Sequence, residues 1–179
     1  MAPDATGARN PAPATFDSAH FRRVLGQFPT GLVVVTGMDS QEPVGMAVGS
    51  FTSVSLAPPM VGFLPDKSST SWPRIRRAGS FVVNVLGENQ ENVCRAFAAS
   101  GGDKFSGIGW RRGPGGAPIL DGITAWISCD IADVVDAGDH WFVLGAVRDL
   151  AATSGGNPLL FFRGRYAHLE EKSRSMSLT

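Results

Sequence analysis

A chain of 179 residues has the length of one domain, and its 43% of hydrophobic residues can fill a single core without metals or disulfides. Sixteen Lys and Arg balance sixteen Asp and Glu, so the net charge of zero excludes long-range attraction to nucleic acid or to an anionic membrane. No stretch approaches the roughly 20 apolar residues of a membrane-spanning helix, and we expect a cytoplasmic protein that binds neither nucleic acid nor membranes.

The chain is predicted to form one folded domain. Pro and small residues dominate residues 1–15, which are predicted to be a disordered leader. We expect the folded domain over 16–170 and a flexible tail over 171–179. Cys94 and Cys129 fall in separate predicted elements and show no CxxC spacing, so both are interpreted as buried thiols.

The first half of the domain is predicted to contain a helix followed by strands. Asp17 and Ser18 are N-cap candidates for a helix that ends at Pro29, because apolar side chains follow them at helical spacing. Apolar runs then predict strands over 32–37, 44–56 and 60–64. The polar stretch 65–79 is predicted to be a loop that leads into a short helix.

The second half is predicted to be mostly strand. Its elements are a strand over 80–86, a helix over 89–100, a long loop over 101–120 and three strands over 123–135, 140–152 and 158–170. The DAGD turn predicts a hairpin between the first two of these strands. Because the strands follow one another without βαβ alternation, we predict a mainly β fold, an antiparallel barrel with a few short flanking α-helices.

Several reaction classes lack their motifs. His20, His140 and His168 lie in unrelated segments, and no HExxH or clustered Cys/His spacing is present, so we predict no metal site. The chain also has no GxSxG elbow, no Walker A loop and no GxGxxG that opens a helix after a strand. Hydrolase, nucleotide triphosphatase and Rossmann dehydrogenase functions are therefore disfavoured.

Two segments are candidates for a planar, phosphorylated cofactor. Gly45, Ala47 and Gly49 would let a flat ring lie against the main chain, although small residues also occur where a barrel strand bends. The second segment is 66–72, whose hydroxyls and Lys67 form either an anion site or an ordinary helix cap. Its hydroxyl-bearing residues are Ser68, Ser69, Thr70 and Ser71.

Two further features lie towards the C-terminus. His140 follows the predicted hairpin turn, where it either points at a ligand from the barrel rim or is a solvent-exposed turn residue. Arg163, Arg165 and Tyr166 would stack on a nicotinamide or bind its phosphates, or would protect an edge strand by charge. The residues alone leave both alternatives open.

A set of segments between about Phe16 and Tyr166 occurs in one order and register: FRRVLGQFPTG, PVGMAVGSFTSVSLAPP, DKSSTSW, GSFVVNVL, DKFSGIGW, GDH and PLLFFRGRY. Together they resemble the flavin reductase-like family, short reductases that supply reduced flavin to separate monooxygenases. The resemblance implies an FMN-binding split barrel with Greek-key topology, a homodimer, FMN or FAD as the flavin, and NADH or NADPH as the hydride donor. It also implies a flavin-dependent monooxygenase as transient partner.

The resemblance implies a set of site residues. Those implied to line the flavin ring and its ribityl chain are Pro43, Val44, Gly45, Met46, Ala47, Gly49 and Ser50. Those implied at the phosphate end are Leu64, Pro65, Asp66, Lys67, Thr70 and Ser71. Helix residues implied to close over the cofactor are Ala96 and Phe97, and the positions implied near the nicotinamide are His140, Leu159, Leu160, Phe161, Phe162 and Arg163.

The chain departs from the family pattern at three positions. Many relatives carry Thr at the position of Ala47 and Ser at that of Gly49, so two side-chain hydrogen bonds to the flavin are absent here. Lys67 stands where relatives often have Arg, which replaces a bidentate phosphate contact by a point charge. The choice between FMN and FAD stays open.

The predicted function is an NAD(P)H:flavin oxidoreductase in which His140 positions the nicotinamide. Hydride transfer needs donor and acceptor held face to face and no strong acid or base, which fits the lack of an acid/base pair. The alternatives are a flavin-binding electron carrier without a nicotinamide site and an oxidase of the pyridoxamine phosphate type, which shares the barrel.

Overall fold

The computed structural model describes residues 15–153 and 156–170. The predicted tail and all of the predicted leader except Thr15 lie outside these residues. Three α-helices are present in the described part, α1 (Ser18–Leu25), α2 (Trp72–Ala78) and α3 (Glu91–Ala98), together with a short 3-10 helix over Pro114–Gly116. Within the same ranges, no helix combines the length and the apolar character needed to cross a bilayer.

The strands of the described part are numbered in chain order. They are β1 (Thr30–Gly31), β2 (Val33–Asp39), β3 (Glu42–Val48), β4 (Thr52–Leu56), β5 (Pro59–Phe63), β6 (Ser80–Val85), β7 (Trp110–Arg112), β8 (Pro118–Leu120), β9 (Ala125–Ala137), β10 (His140–Ala152), β11 (Leu160–Phe162) and β12 (Arg165–Ala167).

Seven of these strands form one antiparallel sheet that rolls into a barrel. Their order is β3-β2-β6-β9-β10-β5-β4. The two edge strands, β3 and β4, are joined by residues 49–51 alone, so the opposite ends of the sheet must lie close together. The backbone N–H of Leu64 donates to Oγ of Ser50 at 3.0 Å and fixes that junction. The predicted antiparallel split barrel is confirmed.

The central strands β2 and β6 are buried on both faces. Val33, Val35 and Val83 pack in one core cluster, while Val34 and Val82 pack in a second cluster on the opposite face. A continuous apolar run is the pattern expected of such a strand, since neither face meets water. The first cluster includes the α2 residue Ile75, and the second includes residues of α3 and of the β7–β8 hairpin.

A polar centre lies inside the second cluster. Asn84 and Thr36 have no exposed surface. The Asn84 amide donates to the Val34 carbonyl and to Oγ1 of Thr36, each at 3.1 Å, and its Oδ1 accepts from the Leu120 N–H at 2.8 Å. The Thr36 hydroxyl donates to the Pro118 carbonyl at 2.6 Å. These bonds attach β8 to the middle of the barrel wall.

Both cysteines are buried and free, which confirms their interpretation as buried thiols. Burial raises the pKa of Cys129 to about 12 and also raises the pKa of Cys94. Neither side chain is therefore a thiolate at neutral pH.

Several predicted boundaries were wrong. The first helix ends at Leu25 and not at Pro29, and Asp17 is its N-cap, with Oδ1 accepting from the His20 N–H at 2.6 Å. The strand predicted over 44–56 is two strands, because the chain turns between β3 and β4. The strand predicted over 158–170 is also two strands, since Arg163 and Gly164 both adopt positive φ, at 51° and 75°.

The loop predicted over 101–120 contains a hairpin that the sequence pattern did not reveal. β7 and β8 pair antiparallel, and Gly115 and Gly116 form the tight turn between them with φ of 76° and 88°. Ile119 and Leu120 of β8 are buried. The last four residues of this predicted loop, 117–120, are thus buried in the core.

Candidate functional site

A cavity lies between the start of β3, the start of α2 and the loop that precedes β7. It has a volume of about 750 Å³. We call it the β3–α2 cavity and define it by its lining residues: Glu42, Pro43, Val44, Gly45, Thr70, Ser71, Arg74, Gly101, Gly102, Asp103, Lys104, Phe105 and Trp110. Five predicted cofactor residues are among them, on both predicted segments: Pro43, Val44, Gly45, Thr70 and Ser71.

Gly45 permits the close approach of α3 to β3. A Cβ atom at this position would lie 2.6 Å from Cε1 of Phe97, closer than any real Cβ contact. The Phe97 ring is buried and makes an edge contact with Phe105, with ring centroids 4.8 Å apart. Phe105 in turn contacts Trp110. The small residue on β3 therefore lets an aromatic cluster form along one wall of the cavity.

The hydroxyl-rich segment 66–71 is only partly available to a ligand. Ser68 donates to Oδ1 of Asp66 through both its N–H and its hydroxyl, each at 2.6 Å, and these bonds lower the pKa of Asp66. Ser69 Oγ accepts from the Trp72 N–H at 3.2 Å. Thr70 and Ser71 are the two hydroxyl residues of this segment that line the cavity.

A second group of predicted residues meets at the barrel rim, next to the hydroxyl-rich segment 66–71. Ser50 bonds to the backbone of Leu64, Pro65 accepts from the Trp141 N–H at 2.9 Å, and Asp66 forms a backbone bridge with His140. His140 Nδ1 lies 2.7 Å from Oδ1 of Asp139, and its side chain is 37% exposed. The structure therefore brings His140 to the same rim as the predicted phosphate-end segment.

Lys67 lies outside the cavity lining. Its ammonium pairs with Asp136 at 2.6 Å and lies 4.7 Å from the centre of the Trp141 ring. The ion pair lowers the pKa of Asp136. The cation predicted for the anion site thus has a carboxylate partner from β9.

The remaining predicted residues are spread over neighbouring elements. Met46 and Ala47 are partly buried on β3, and Ala96 is partly buried on α3. Gly49 approaches Thr30, since a Cβ there would lie 3.3 Å from the Thr30 hydroxyl. Thr30 pairs with Phe161 across β1 and β11, which places the C-terminal predicted residues beyond this end of β3.

The predicted residues 159–163 do not line the β3–α2 cavity. Leu159 is fully buried, whereas Phe161 is 38% exposed. The Arg163 guanidinium donates to Oε1 of Gln27 at 2.9 Å and lies 4.8 Å from the centre of the Phe162 ring. Leu160 pairs with Ala167 of β12. This group therefore faces the α1 side of the molecule.

Two cations of the cavity were not among the predicted site residues. Arg74 is neutralised by Asp39 and Glu42, each at 3.1 Å, and Arg77 together with Arg74 holds the pKa of Asp39 below its ordinary value. Lys104 is partly buried, and burial lowers its pKa. A lysine between the glycines of the long loop, within DKFSGIGW, was the signal that could have identified it.

A family model described as a flavin reductase like domain matches residues 25–170. The chain belongs to the flavin reductase-like family. A flavin reductase of Pseudomonas putida is 55% identical over 154 residues, which is 86% of this chain and 91% of the relative.

Two solved structures share the fold. Nitrilotriacetate monooxygenase component B of Mycobacterium thermoresistibile is 44% identical, with a TM-score of 0.84 over 90% of this chain and 91% of that chain. An NADH:FAD oxidoreductase of Streptomyces globisporus, in complex with NAD and FAD fragments, is 37% identical, with a TM-score of 0.84 over 88% and 95%. The predicted family, fold and flavin-oxidoreductase class are confirmed.

Proposed function

We propose that the protein reduces FMN or FAD with NADH or NADPH and releases the reduced flavin to a flavin-dependent monooxygenase. The observation that carries the proposal is the β3–α2 cavity, which combines an aromatic wall, two hydroxyl residues and a partly buried cation. This donor set fits a planar, phosphorylated cofactor, because the ring requires an apolar surface and the phosphate requires donors. A bound flavin supplies the ring that accepts the hydride.

The residues of the chain bind and orient the two reactants. The start of β3 would hold the flavin ring through main-chain donors, since Gly45 and Ala47 carry no polar side chain. Thr70 and Ser71 would donate to the phosphate end. Hydride transfer depends on holding donor and acceptor in close contact, so this placement is the catalytic contribution of the chain.

His140 is proposed to position the nicotinamide from the rim. We expect His140→Ala to raise the KM for the nicotinamide about fivefold to tenfold, from the loss of ~1 kcal/mol for one hydrogen bond, and to leave the KM for flavin nearly unchanged. Steady-state assays with each substrate varied in turn measure both constants. The exposed His168 provides the matched control, His168→Ala. Equal increases in the two KM values contradict the assignment.

The reductase activity itself is tested by anaerobic mixing. Excess NADH or NADPH should bleach the visible absorbance of flavin in the presence of the protein. A protein that binds flavin but gives no bleaching with either nicotinamide is an electron carrier, and that result overturns the reductase proposal. Assays across both flavins and both nicotinamides identify the preferred pair.

The functional unit is proposed to be a homodimer. Support comes from exposed aromatic side chains on α1 and just beyond its end. The helix buries none of its residues, Phe21 on the helix is 50% exposed, and Phe28 after the helix is 72% exposed. Sedimentation equilibrium should give twice the monomer mass, and Phe21→Ser with Phe28→Ser should shift it towards monomer. A wild-type protein that is monomeric at micromolar concentration contradicts the proposed homodimer. The cytoplasmic location stays a prediction.

A further inference from the structure

Lys104 is a partly buried cation that has no carboxylate partner among residues 15–153 and 156–170. Its Nζ contacts two neutral acceptors, the Phe97 carbonyl at 3.2 Å and Oγ of Ser71 at 3.3 Å. No carboxylate of the described residues lies within ion-pair distance of it, whereas Lys67 and Arg74 both have such partners. Burial lowers the pKa of Lys104, so the apo protein holds this ammonium at a cost.

The acidic residues that share the cavity are bonded elsewhere. Glu42 accepts from the Arg74 guanidinium at 3.1 Å, and Oδ1 of Asp103 accepts from the Phe105 N–H at 3.0 Å. Lys104 therefore faces the cavity beside Thr70 and Ser71, and the combination is one ammonium with two hydroxyls. That combination matches a phosphate monoester, which offers several acceptor oxygens and a double negative charge.

We propose that Lys104 binds the phosphate attached to the ribityl chain of the flavin and makes the protein select phosphorylated flavins over riboflavin. The inference rests on the proposed function and assigns the phosphate selectivity of that site to one residue. Lys67, the cation expected there from the sequence, pairs with Asp136 and lies outside the cavity lining. A lysine acts on phosphate as a point charge, so Lys104 adds affinity for charge more than for shape.

A purely structural role for Lys104 makes a different prediction. Its contact with the Phe97 carbonyl ties the loop to the end of α3. If that tie were its whole function, its removal would loosen the cavity and weaken every flavin equally. The comparison of FMN with riboflavin separates the two roles, because the two molecules share the ring and the ribityl chain and differ in the phosphate.

The test measures equilibrium binding of each flavin in the absence of nicotinamide. Quenching of the flavin fluorescence on binding is the signal. Wild type should bind FMN more tightly than riboflavin. Lys104→Met removes the charge and keeps the length, and should weaken FMN binding about tenfold to a hundredfold while riboflavin binding changes less than twofold. Lys104→Arg keeps the charge and should retain the preference for FMN. Arg148→Gln, which removes an exposed cation paired with Asp130, is the charge-matched control and should change neither affinity.

Each outcome either supports or overturns the assignment of Lys104. Loss of FMN preference in Lys104→Met and its retention in Lys104→Arg support the inference. Equal weakening of FMN and riboflavin, an unchanged FMN affinity, or a wild type without preference overturns it and leaves the reductase proposal standing. A wild type that binds neither flavin overturns the proposed function instead.

Discussion

Asn84 and Lys104 are two polar side chains that lie at least partly below the surface of this protein, and their surroundings differ. Asn84 is fully buried and both ends of its amide are hydrogen-bonded, to β2 and to β8. Lys104 is partly buried, carries a full charge and has only neutral acceptors at 3.2 and 3.3 Å. A completed network of hydrogen bonds is expected of a structural group, whereas a cation without a charged partner on a cavity wall is expected where a ligand binds.

Removal of the Asn84 side chain should have the largest effect on stability. Asn84→Ala leaves the Leu120 N–H without its acceptor in a dry interior and removes the amide donor to Thr36, and we expect a loss of about 2–4 kcal/mol in the free energy of unfolding. Urea unfolding measures it as a lower midpoint. Asn89→Ala removes the same side chain from an exposed turn and should cost less than about 0.5 kcal/mol. Similar costs for the two variants would show that the polar centre is not structural.

The contact between β3 and α3 should give the next largest effect. Gly45→Ala drives a methyl group against the Phe97 ring, and overpacking of this kind costs about 1–3 kcal/mol. Flavin affinity should fall as well, since both residues shape the proposed site. Gly31→Ala is the matched control, because no atom lies within 4 Å of a Cβ there. Adding Phe97→Leu to Gly45→Ala should restore part of the lost stability; a further loss contradicts the steric explanation.

The smallest effect is the pH dependence from Lys104. Because its folded pKa is below the ordinary 10.5, the cost of the ammonium is present at neutral pH and is relieved as the pH rises through the folded pKa. Wild type should therefore gain stability relative to Lys104→Met as the pH rises through the folded pKa towards 10.5, by less than about 1 kcal/mol because solvent screens the charge. Unfolding curves of both proteins across this range measure the difference. A relative loss with rising pH contradicts the assignment of a depressed pKa.

Sequence patterns identified the strands that are long or fully apolar. The strand over 140–152 has the predicted bounds, and the run that became β2 was predicted from its valines. Breaks inside predicted strands were missed at residues 49–51 and at Arg163, because they depend on where the barrel closes and on positive φ at a non-glycine residue. The buried β8 was missed for a related reason, since three apolar residues in a glycine-rich loop give no periodic signal.

The residues of the candidate site also fall into those that the sequence predicted and those that it did not. The small residues of β3 and the hydroxyls of Thr70 and Ser71 were predicted from local composition and family resemblance, and they line one cavity. Lys104 and Trp110 were not predicted as site residues, because their approach to Ser71 and Phe105 depends on how the long loop folds back. Lys67 was placed in the site by sequence proximity, and only the fold reveals its pairing with Asp136.

The hairpin of β9 and β10 also bears on the order in which this barrel assembles. His140 lies opposite Ala137 at its tip, and the pairing then runs outward to Ala152 opposite Ala125. Such local pairing costs little loop-closure entropy, whereas β2 must find β6 across a long separation, with Val33 opposite Val85. We therefore expect φ-values in the hairpin to exceed those in β2. On this expectation, the histidine proposed to position the nicotinamide belongs to the hairpin that forms before β2 and β6 pair.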